Sequence, residues 1–287
     1  MKLTRPKLLE TLRVLNEGFS KYQARKIAGI TKQRVYQVWN IYQLTGEPPV
    51  IGKRTGRPPR PILDSERELV REAYARYRVS ADMLERLIER DYDVHLPHNH
   101  IHRILVELGL ARPLAAFVAR KKEWIRYERK HSLTAVHIDW HQRKGDGPWV
   151  FAVEDDASRK LLALLEDVPA TTDSSMQGME IALTNGQIHQ CIMDHGTQFT
   201  SNLGGDSRFQ AFLAMHGIRP IFCRIKHPQS NGKVEKWFDT YERHRDAFSS
   251  VEEFVTWYND VRPHRSLNLE LLETPEMAFQ RKMRVEA

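Results

Sequence analysis

The sequence predicts an α/β protein in which a mixed five-stranded sheet with flanking helices follows two small all-α modules. Five short β-prone runs lie within residues 134 to 223, and two groups of helically spaced apolar residues lie within residues 1 to 112. A Pro- and Gly-rich stretch, residues 47 to 62, separates these two groups. At 287 residues the chain has room for two or three domains, and no apolar run approaches the length of a membrane span.

The two cysteines indicate a reducing compartment. Cys191 and Cys223 fall on separate predicted strands, which is typical of core thiols rather than of a disulfide or a metal-binding pair. The N-terminus is charged and then amphipathic, unlike a signal peptide. We therefore expect a cytoplasmic protein.

The charge of the chain is unevenly distributed. Residues 1 to 133 contain 27 Lys and Arg against 15 Asp and Glu, whereas residues 134 to 287 contain 17 against 22. Because Lys and Arg attract phosphate backbones, this asymmetry predicts that the first half contacts nucleic acid and that the acidic half carries metal chemistry. A solvated basic surface is the alternative.

Residues 1 to 46 predict a helix-turn-helix DNA-binding module. Helices ending near Gly18 and Gly29 precede a third helix that Thr31 caps, from Lys32 to Leu44. The polar face of this third helix predicts DNA contacts, and the alternative is a helical bundle with a merely polar face. The residues predicted to contact DNA are Lys32, Gln33, Arg34 and Gln37.

The linker, residues 47 to 62, is basic and Pro-rich. Its Arg54 and Arg57, the latter in a Gly-Arg-Pro core, are similar to an arginine hook that enters the minor groove. A plain Pro-rich spacer is an equally good interpretation.

Residues 63 to 112 predict a second helix-turn-helix, winged-helix-like DNA-binding module. Asp64 is predicted to cap its first helix, and the third helix runs from about His98 to Leu108. Its histidines suggest a metal site, but no Cys or carboxylate partner lies nearby in the sequence. A DNA-facing side is favoured instead, formed by His98, Asn99, His102 and Arg103.

Residues 113 to 133 form a basic connector. Lys121 and Lys122 precede Trp124 and Tyr127, and such interleaving of cations and aromatic rings is typical of segments that bind unpaired nucleic acid strands. An amphipathic connecting segment packed on the next domain is the alternative.

The second half of the chain contains the predicted sheet. Short turns between its first three strands, Thr134 to Trp140, Trp149 to Glu154 and Lys160 to Glu166, predict antiparallel pairing. Two further strands, Ile188 to Met193 and Ile218 to Cys223, alternate with helices.

Three acids occupy separate elements of this region. Asp139 lies in the first strand, Asp194 follows the fourth strand, and Glu235 lies early in a helix. Three carboxylates without a nearby Cys form an oxygen-rich ligand set that suits Mg²⁺ or Mn²⁺, although a buried or capping acid is the alternative for each one alone. Asp155 and Asp156 are interpreted as turn residues.

Together these motifs resemble the acidic triad of the DDE transposases and retroviral-type integrases. The D-x-G-x-x-F turn at Asp194 and the P-x-x-N-G segment before Glu235 carry the resemblance, which covers about residues 134 to 283. The chain differs from many relatives in its spacing, with 40 residues between these two acids, and in having His195 where they have Asn.

The resemblance implies a ribonuclease-H-like core over residues 134 to 247, with Asp139 on the central strand. It implies that the triad binds two Mg²⁺ or Mn²⁺ ions for phosphodiester hydrolysis at transposon ends and strand transfer into target DNA. Asn231, Lys233 and Lys236, close to Glu235, are expected to contact the DNA strand. It also implies a homo-oligomer, a dimer or tetramer, assembled on double-stranded DNA in the prokaryotic nucleoid.

Two other functions remain open on the sequence alone. A DNA-binding regulator derived from a transposase would bind the same DNA without cleaving it, and a ribonuclease would use the same acids on RNA·DNA hybrids. Residues 248 to 287 predict a helical tail that packs on the core. Its Y-N-x-x-R-P-H pattern leaves Arg262 and His264 as candidate DNA contacts.

Overall fold

A computed structural model of the chain describes residues 3–52, 60–113, 129–201, 205–223 and 232–283. The chain divides into two compact units, Met1–Pro61 and Ile62–Ala287. Within the described residues, none of the helices combines the length and apolarity needed to cross a membrane.

The first unit contains three helices, α1 (Arg5–Asn16), α2 (Lys21–Ala28) and α3 (Lys32–Thr45). Ser20 and Gln23 form the capping box that starts α2, since the Gln23 side chain accepts from the Ser20 N–H at 2.9 Å and the Ser20 hydroxyl accepts from the Gln23 N–H at 3.3 Å. The apolar sides of all three helices are buried against one another. The apolar spacing of the sequence therefore placed these helices to within a residue or two.

The second unit opens with three more helices, α4 (Asp64–Tyr77), α5 (Ala81–Tyr92) and α6 (His98–Glu107). Asp64 is the first residue of α4 rather than its cap, because the Glu66 carboxylate accepts the Leu63 N–H at 3.1 Å and thereby fixes an earlier start. No strand occurs within residues 60 to 113.

Five strands follow and form one mixed sheet. The strands are β1 (Val136–Gln142), β2 (Trp149–Asp155), β3 (Leu161–Glu166), β4 (Gln190–Met193) and β5 (Arg219–Phe222). Their order is β3-β2-β1-β4-β5, in which β1, β2 and β3 pair antiparallel while β4 and β5 pair parallel. This is the ribonuclease-H-like arrangement that was expected, with β1 at its centre.

Helices cover both faces of this sheet. Alternate residues of β1, Ile138 and Trp140 among them, pack on one face against α7 (Thr172–Leu183) and α8 (Arg208–Met215). The other face packs against α9 (Gly232–His244) and α10 (Val251–Thr256). The side chains at 137, 139 and 141 of β1 therefore point to the side of the sheet that α9 covers.

The tail packs on the core as predicted. It comprises a 3₁₀ turn (Arg245–Ala247), α10, a π-helix (Trp257–Val261) and α11 (Pro275–Lys282). Asn259 docks the π-helix on the edge strand β3, since its amide exchanges two hydrogen bonds of 2.9 Å with the backbone of Leu161. The tail also contributes apolar side chains to the core of the α4–α6 module.

Candidate acidic active site

Asp139 and Asp194 lie on neighbouring strands at the same level. In the parallel pairing of β1 with β4, Val136 lies opposite Cys191 and His137 lies opposite Ile192. Continued by two residues, this register brings Asp139 opposite Asp194, at the point where β4 ends. The backbone positions of the two acids are therefore neighbours at the end of β4.

Two side-chain contacts fix the position of Glu235 relative to β1. At one level, Asp156 bonds both His137 of β1 and Lys233 of α9. At another level, His141 Nε2 lies 2.8 Å from Glu242 Oε1 of α9. The strand and the helix therefore run in the same direction, and the segment of α9 that carries Glu235 lies beside the segment of β1 that carries Asp139.

Three carboxylates contribute to the raised pKa of the Cys223 thiol. Burial raises the pKa of the Cys223 thiol to about 11, and the carboxylates of Asp194, Asp139 and Glu235 each contribute to that rise. A charge raises the pKa of a thiol in this way only at short range. All three carboxylates are therefore near enough to Cys223, which follows β5, to contribute to this rise.

The donor chemistry at this point fits a hard divalent cation, because all three groups are carboxylates. Asp194 Oδ1 accepts the Gly196 N–H at 2.9 Å, and this bond holds the side chain at the end of the strand. Among the described residues, no three His, Cys, Asp or Glu side chains stand close enough together to hold a metal ion. Like charges repel when no cation lies between them, so the site would have to contract around an ion.

The residues expected to act near the three acids differ in exposure and in the partners of their side chains. Lys236 is exposed and pairs with Asp239 at 2.6 Å, whereas Lys233 points inward to Asp156. His195 stacks on Phe222, and its Nε2 lies 2.9 Å from the carbonyl oxygen of Cys223. Asn231 lies outside the described residues. His195 thus joins the ends of β4 and β5, a role that its position in the motif did not indicate.

A buried polar network lies directly beside the acidic site and was missed by the sequence analysis. Asp156 Oδ1 is 2.7 Å from His137 Nε2, and the same carboxylate pairs with the Lys233 ammonium. Burial opposes ionisation of Asp156, but the bonds from His137 and Lys233 outweigh it and hold the pKa of Asp156 below its usual range. Asp156 does lie in a turn, yet it is also the link between β1 and α9.

Asp155 is likewise a buried acid. It ends β2, and it accepts the backbone N–H groups of Leu133 and Ser158 at 2.8 Å and the Ser158 hydroxyl at 2.6 Å. These bonds close the turn that follows β2. The sequence signal for them was the Asp-x-x-Ser spacing, in which a side chain bonds the backbone three residues further on.

Glu154 is the third buried acid of this network. Burial raises the pKa of its carboxyl to about 7, against the opposing charges of Arg159 and Lys233 and with the support of Asp155 and Asp156. Its Oε2 atom is buried and has no hydrogen-bond partner among the described residues. Folding therefore favours the protonated form of Glu154.

We expect Glu154→Gln to remove part of the pH dependence of stability. In the unfolded chain this carboxyl ionises above its usual pKa of 4.5, while the folded protein retains the proton up to about pH 7. The wild type therefore loses stability as the pH rises from about 4.5 to about 7, by up to about 3 kcal/mol. Urea unfolding at pH 4 and pH 8 measures this difference.

The variant should be more stable than the wild type at pH 8 and nearly equal to it at pH 4. Glu180→Gln on the exposed side of α7 is the matched control and should behave as the wild type at both values. An advantage of Glu154→Gln that is the same at both pH values would contradict the prediction.

The residues predicted to contact DNA lie on exposed helix faces where they are described. In α3, Val35 and Val38 are buried while Lys32, Gln33, Arg34 and Gln37 are exposed. In α6, His98, Asn99 and Arg103 are exposed and His102 is half-buried. Arg54, Arg57, Lys121 and Lys122 lie outside the described residues.

One premise about the histidines was wrong. Carboxylates distant in the sequence do lie beside them, since His98 Nδ1 is 3.0 Å from Glu85 and His100 Nε2 is 3.0 Å from Glu66. Helix packing brings these pairs together, which sequence proximity could not indicate. None of them forms part of a group of three that could hold a metal within the described chain.

Fold and geometry together define a ribonuclease-H-like core with Asp139 on its central strand and Asp194 directly after the neighbouring strand β4. Residues 216–270 match the family model described as integrase core domain. This segment contains Glu235 and all of α9, and the match supports the DDE transposase and integrase superfamily that the sequence motifs indicated.

Solved structures of other proteins are also similar to this chain. The catalytic core domain of BIV integrase is 13% identical, with a TM-score of 0.42, over 52% of this chain and 95% of that chain. No curated protein matches the chain.

Proposed function

We propose that the protein is a DDE transposase that cleaves DNA at transposon ends and joins the freed end to target DNA. The observation that supports this proposal is the arrangement of three elements: the parallel register of β1 and β4 sets Asp139 opposite Asp194, and the start of α9, which carries Glu235, lies beside β1. Integrase core domains are typically polynucleotidyl transferases, and this chemistry needs such a set of carboxylates.

The three acids would hold two Mg²⁺ or Mn²⁺ ions. When bound, such ions supply a water nucleophile and stabilise the leaving oxygen of the phosphodiester. Asp194 is held by its bond to the Gly196 N–H, which leaves its Oδ2 without a hydrogen-bond partner among the described residues. Lys236, which is exposed, is proposed to contact a phosphate of the bound strand. Asn231 is proposed to orient that strand, whereas Lys233 is held inward by Asp156.

The DNA would be bound by parts of the chain outside this site. The exposed faces of α3 and α6 are proposed to read the transposon ends, and the basic segments with Arg54, Arg57, Lys121 and Lys122 are proposed to follow phosphates. Because two ends must be held together, we propose a homo-oligomer on DNA, in the cytoplasm and associated with the nucleoid.

The test of this function is cleavage of defined DNA by the purified protein. With Mn²⁺ it should nick or join a duplex that carries the inverted repeats flanking its coding region. A ribonuclease would instead prefer an RNA·DNA hybrid of the same sequence, and a regulator would bind the duplex without cutting it. Either result would overturn the proposal.

We expect Arg34→Ala to weaken recognition of the end sequence. Arg34 is exposed on α3 and its Nη1 donates to Gln37 Oε1 at 2.9 Å, so the pair presents donors from one helix face. Loss of a base contact from Arg costs about 1–3 kcal/mol of binding free energy and relaxes specificity. Fluorescence anisotropy with specific and scrambled duplexes measures both.

Arg13→Ala on α1 is the matched control for charge. Its guanidinium is already paired with Glu10 at 2.9 Å and with Glu17 at 3.0 Å. Equal losses in the two variants would show that net charge, and not the face of α3, is responsible.

A further inference from the structure

The C-terminal Y-N-x-x-R-P-H pattern contains a charged group that the acidic site does not use. Arg262 directly follows the π-helix, and its Nε and Nη1 atoms are buried without a hydrogen-bond partner among the described residues. Its guanidinium lies over the rings of Trp257 and Tyr258, at 5.8 and 5.7 Å. A buried donor without an acceptor is costly, so its presence needs a reason.

Two other arginines lie near this group. Arg78 follows α4, its Nε is also buried without a described partner, and its guanidinium lies 5.5 Å from the Phe248 ring. Arg243 is in the last turn of α9. The Trp257 ring lies 5.0 Å from the Phe248 ring and 5.4 Å from the His244 ring, so the guanidinium groups of Arg78 and Arg262 border the same group of rings. Burial lowers the pKa of His244 to about 4, and the charges of Arg262, Arg243 and Arg78 lower it as well. We call Arg78, Arg243 and Arg262 the arginine cluster.

The arginine cluster is not balanced by carboxylates. None of its members makes an ion pair with a described Asp or Glu. Arg245, a largely buried arginine of the same unit, is by contrast paired with Glu166 at 2.6 Å. The cluster therefore differs from the structural arginines, which have anions of their own.

The backbone holds Arg262 firmly in this place. Its N–H donates to the Trp257 carbonyl at 2.9 Å, the bond that closes the π-helix. The two bonds of Asn259 to Leu161 anchor the same π-helix on the sheet. Such π-helical turns are frequent at functional sites, and here one holds the backbone of Arg262 while its guanidinium lies against the Trp257 and Tyr258 rings.

We propose that the arginine cluster binds a backbone phosphate of DNA, an inference that rests on the proposed function. Guanidinium groups bind phosphate oxygens through paired, charge-assisted hydrogen bonds. Arg243 lies eight residues after Glu235 on α9, or about 12 Å along the helix. At about 3.4 Å per nucleotide, a strand that ran along α9 from the acidic site would reach the cluster after about three to four nucleotides.

The test compares DNA binding by the full-length wild type, Arg262→Met and Arg265→Met in EDTA. Arg265 is exposed and pairs with Asp82 at 3.1 Å, so its variant loses the same charge three residues away. Arg262→Met should bind a duplex about tenfold more weakly, and the slope of log Kd against log salt should fall by about one. Arg265→Met should keep the slope of the wild type.

A second readout separates binding from folding. Without DNA, Arg262→Met should unfold at a temperature equal to or above that of the wild type, because an unpaired buried charge is removed. If Arg262→Met fails to fold, Arg78→Met decides in the same DNA assay. An unchanged affinity and salt slope in the folded variant overturns the inference.

Because the assay contains no metal and needs no cleavage, its failure is distinct from failure of the proposed function. If the wild type does not nick DNA, the binding assay still tests the phosphate contact. If the salt slope is unchanged in Arg262→Met, the result of the cleavage assay is unaffected.

Discussion

Asp194→Asn is expected to abolish metal-dependent nicking and joining while DNA binding remains as in the wild type. The substitution keeps the size of the side chain but removes the negative charge that would hold a divalent ion. Since metal-assisted charge stabilisation contributes several kcal/mol to such reactions, the rate should fall by about a thousandfold or more. Single-turnover cleavage of an end-labelled duplex with Mn²⁺ measures the rate, and anisotropy measures the binding.

The matched control for this prediction is Asp206→Asn. Asp206 is exposed and lies after the same strand, so its variant undergoes the same chemical change without touching the three acids. Its cleavage rate should equal that of the wild type. Retained activity in Asp194→Asn would remove this residue from the active site.

Asp156→Ala is expected to destabilise the protein by about 3–5 kcal/mol at pH 7, since it leaves the buried His137 and Lys233 without their shared partner. The pKa of Asp156 lies below its usual range, so this stabilisation is present above the unfolded-state pKa. It is lost as the pH falls through the folded-state value. The midpoint of urea unfolding measures the loss.

Removing Asp156 should also lower cleavage by folded protein, because this residue sets the distance between β1 and α9. His137 lies two residues before Asp139, and Lys233 lies two residues before Glu235. Asp173→Ala provides the contrast, since its ion pair with Arg208 is exposed and should contribute less than about 1 kcal/mol. Equal destabilisation in the two variants would contradict the assignment of Asp156 as a buried link.

The elements of the fold could be predicted from the sequence because they follow local rules. Apolar spacing gave the helices of both modules, and hairpin-length turns gave the antiparallel pairing of β1, β2 and β3. The ends of elements were less accurate. The start of α4 depends on the side chain of Glu66, and β1 extends beyond Trp140 because its partner β2 continues alongside.

The candidate site was predicted in part. The positions of Asp139, Asp194 and Glu235 in their elements could be read from the sequence, and their action as one metal-binding site stays a prediction. Asp156 could not be assigned a link to β1 and α9, because both of its partners are distant in the chain. The same holds for Arg262, whose missing counter-charge is a property of what surrounds it.

The sequence by itself determined which residues form helices and strands and which acids are available, because side-chain period, capping and turn chemistry act between near neighbours. Only the tertiary structure decided which of those acids face one another, which are buried, and which cations lack a partner. Buried contacts and ion pairs join residues that can be about a hundred positions apart in the sequence, as His141 and Glu242 are. Their effects on pKa values arise only once the chain has folded.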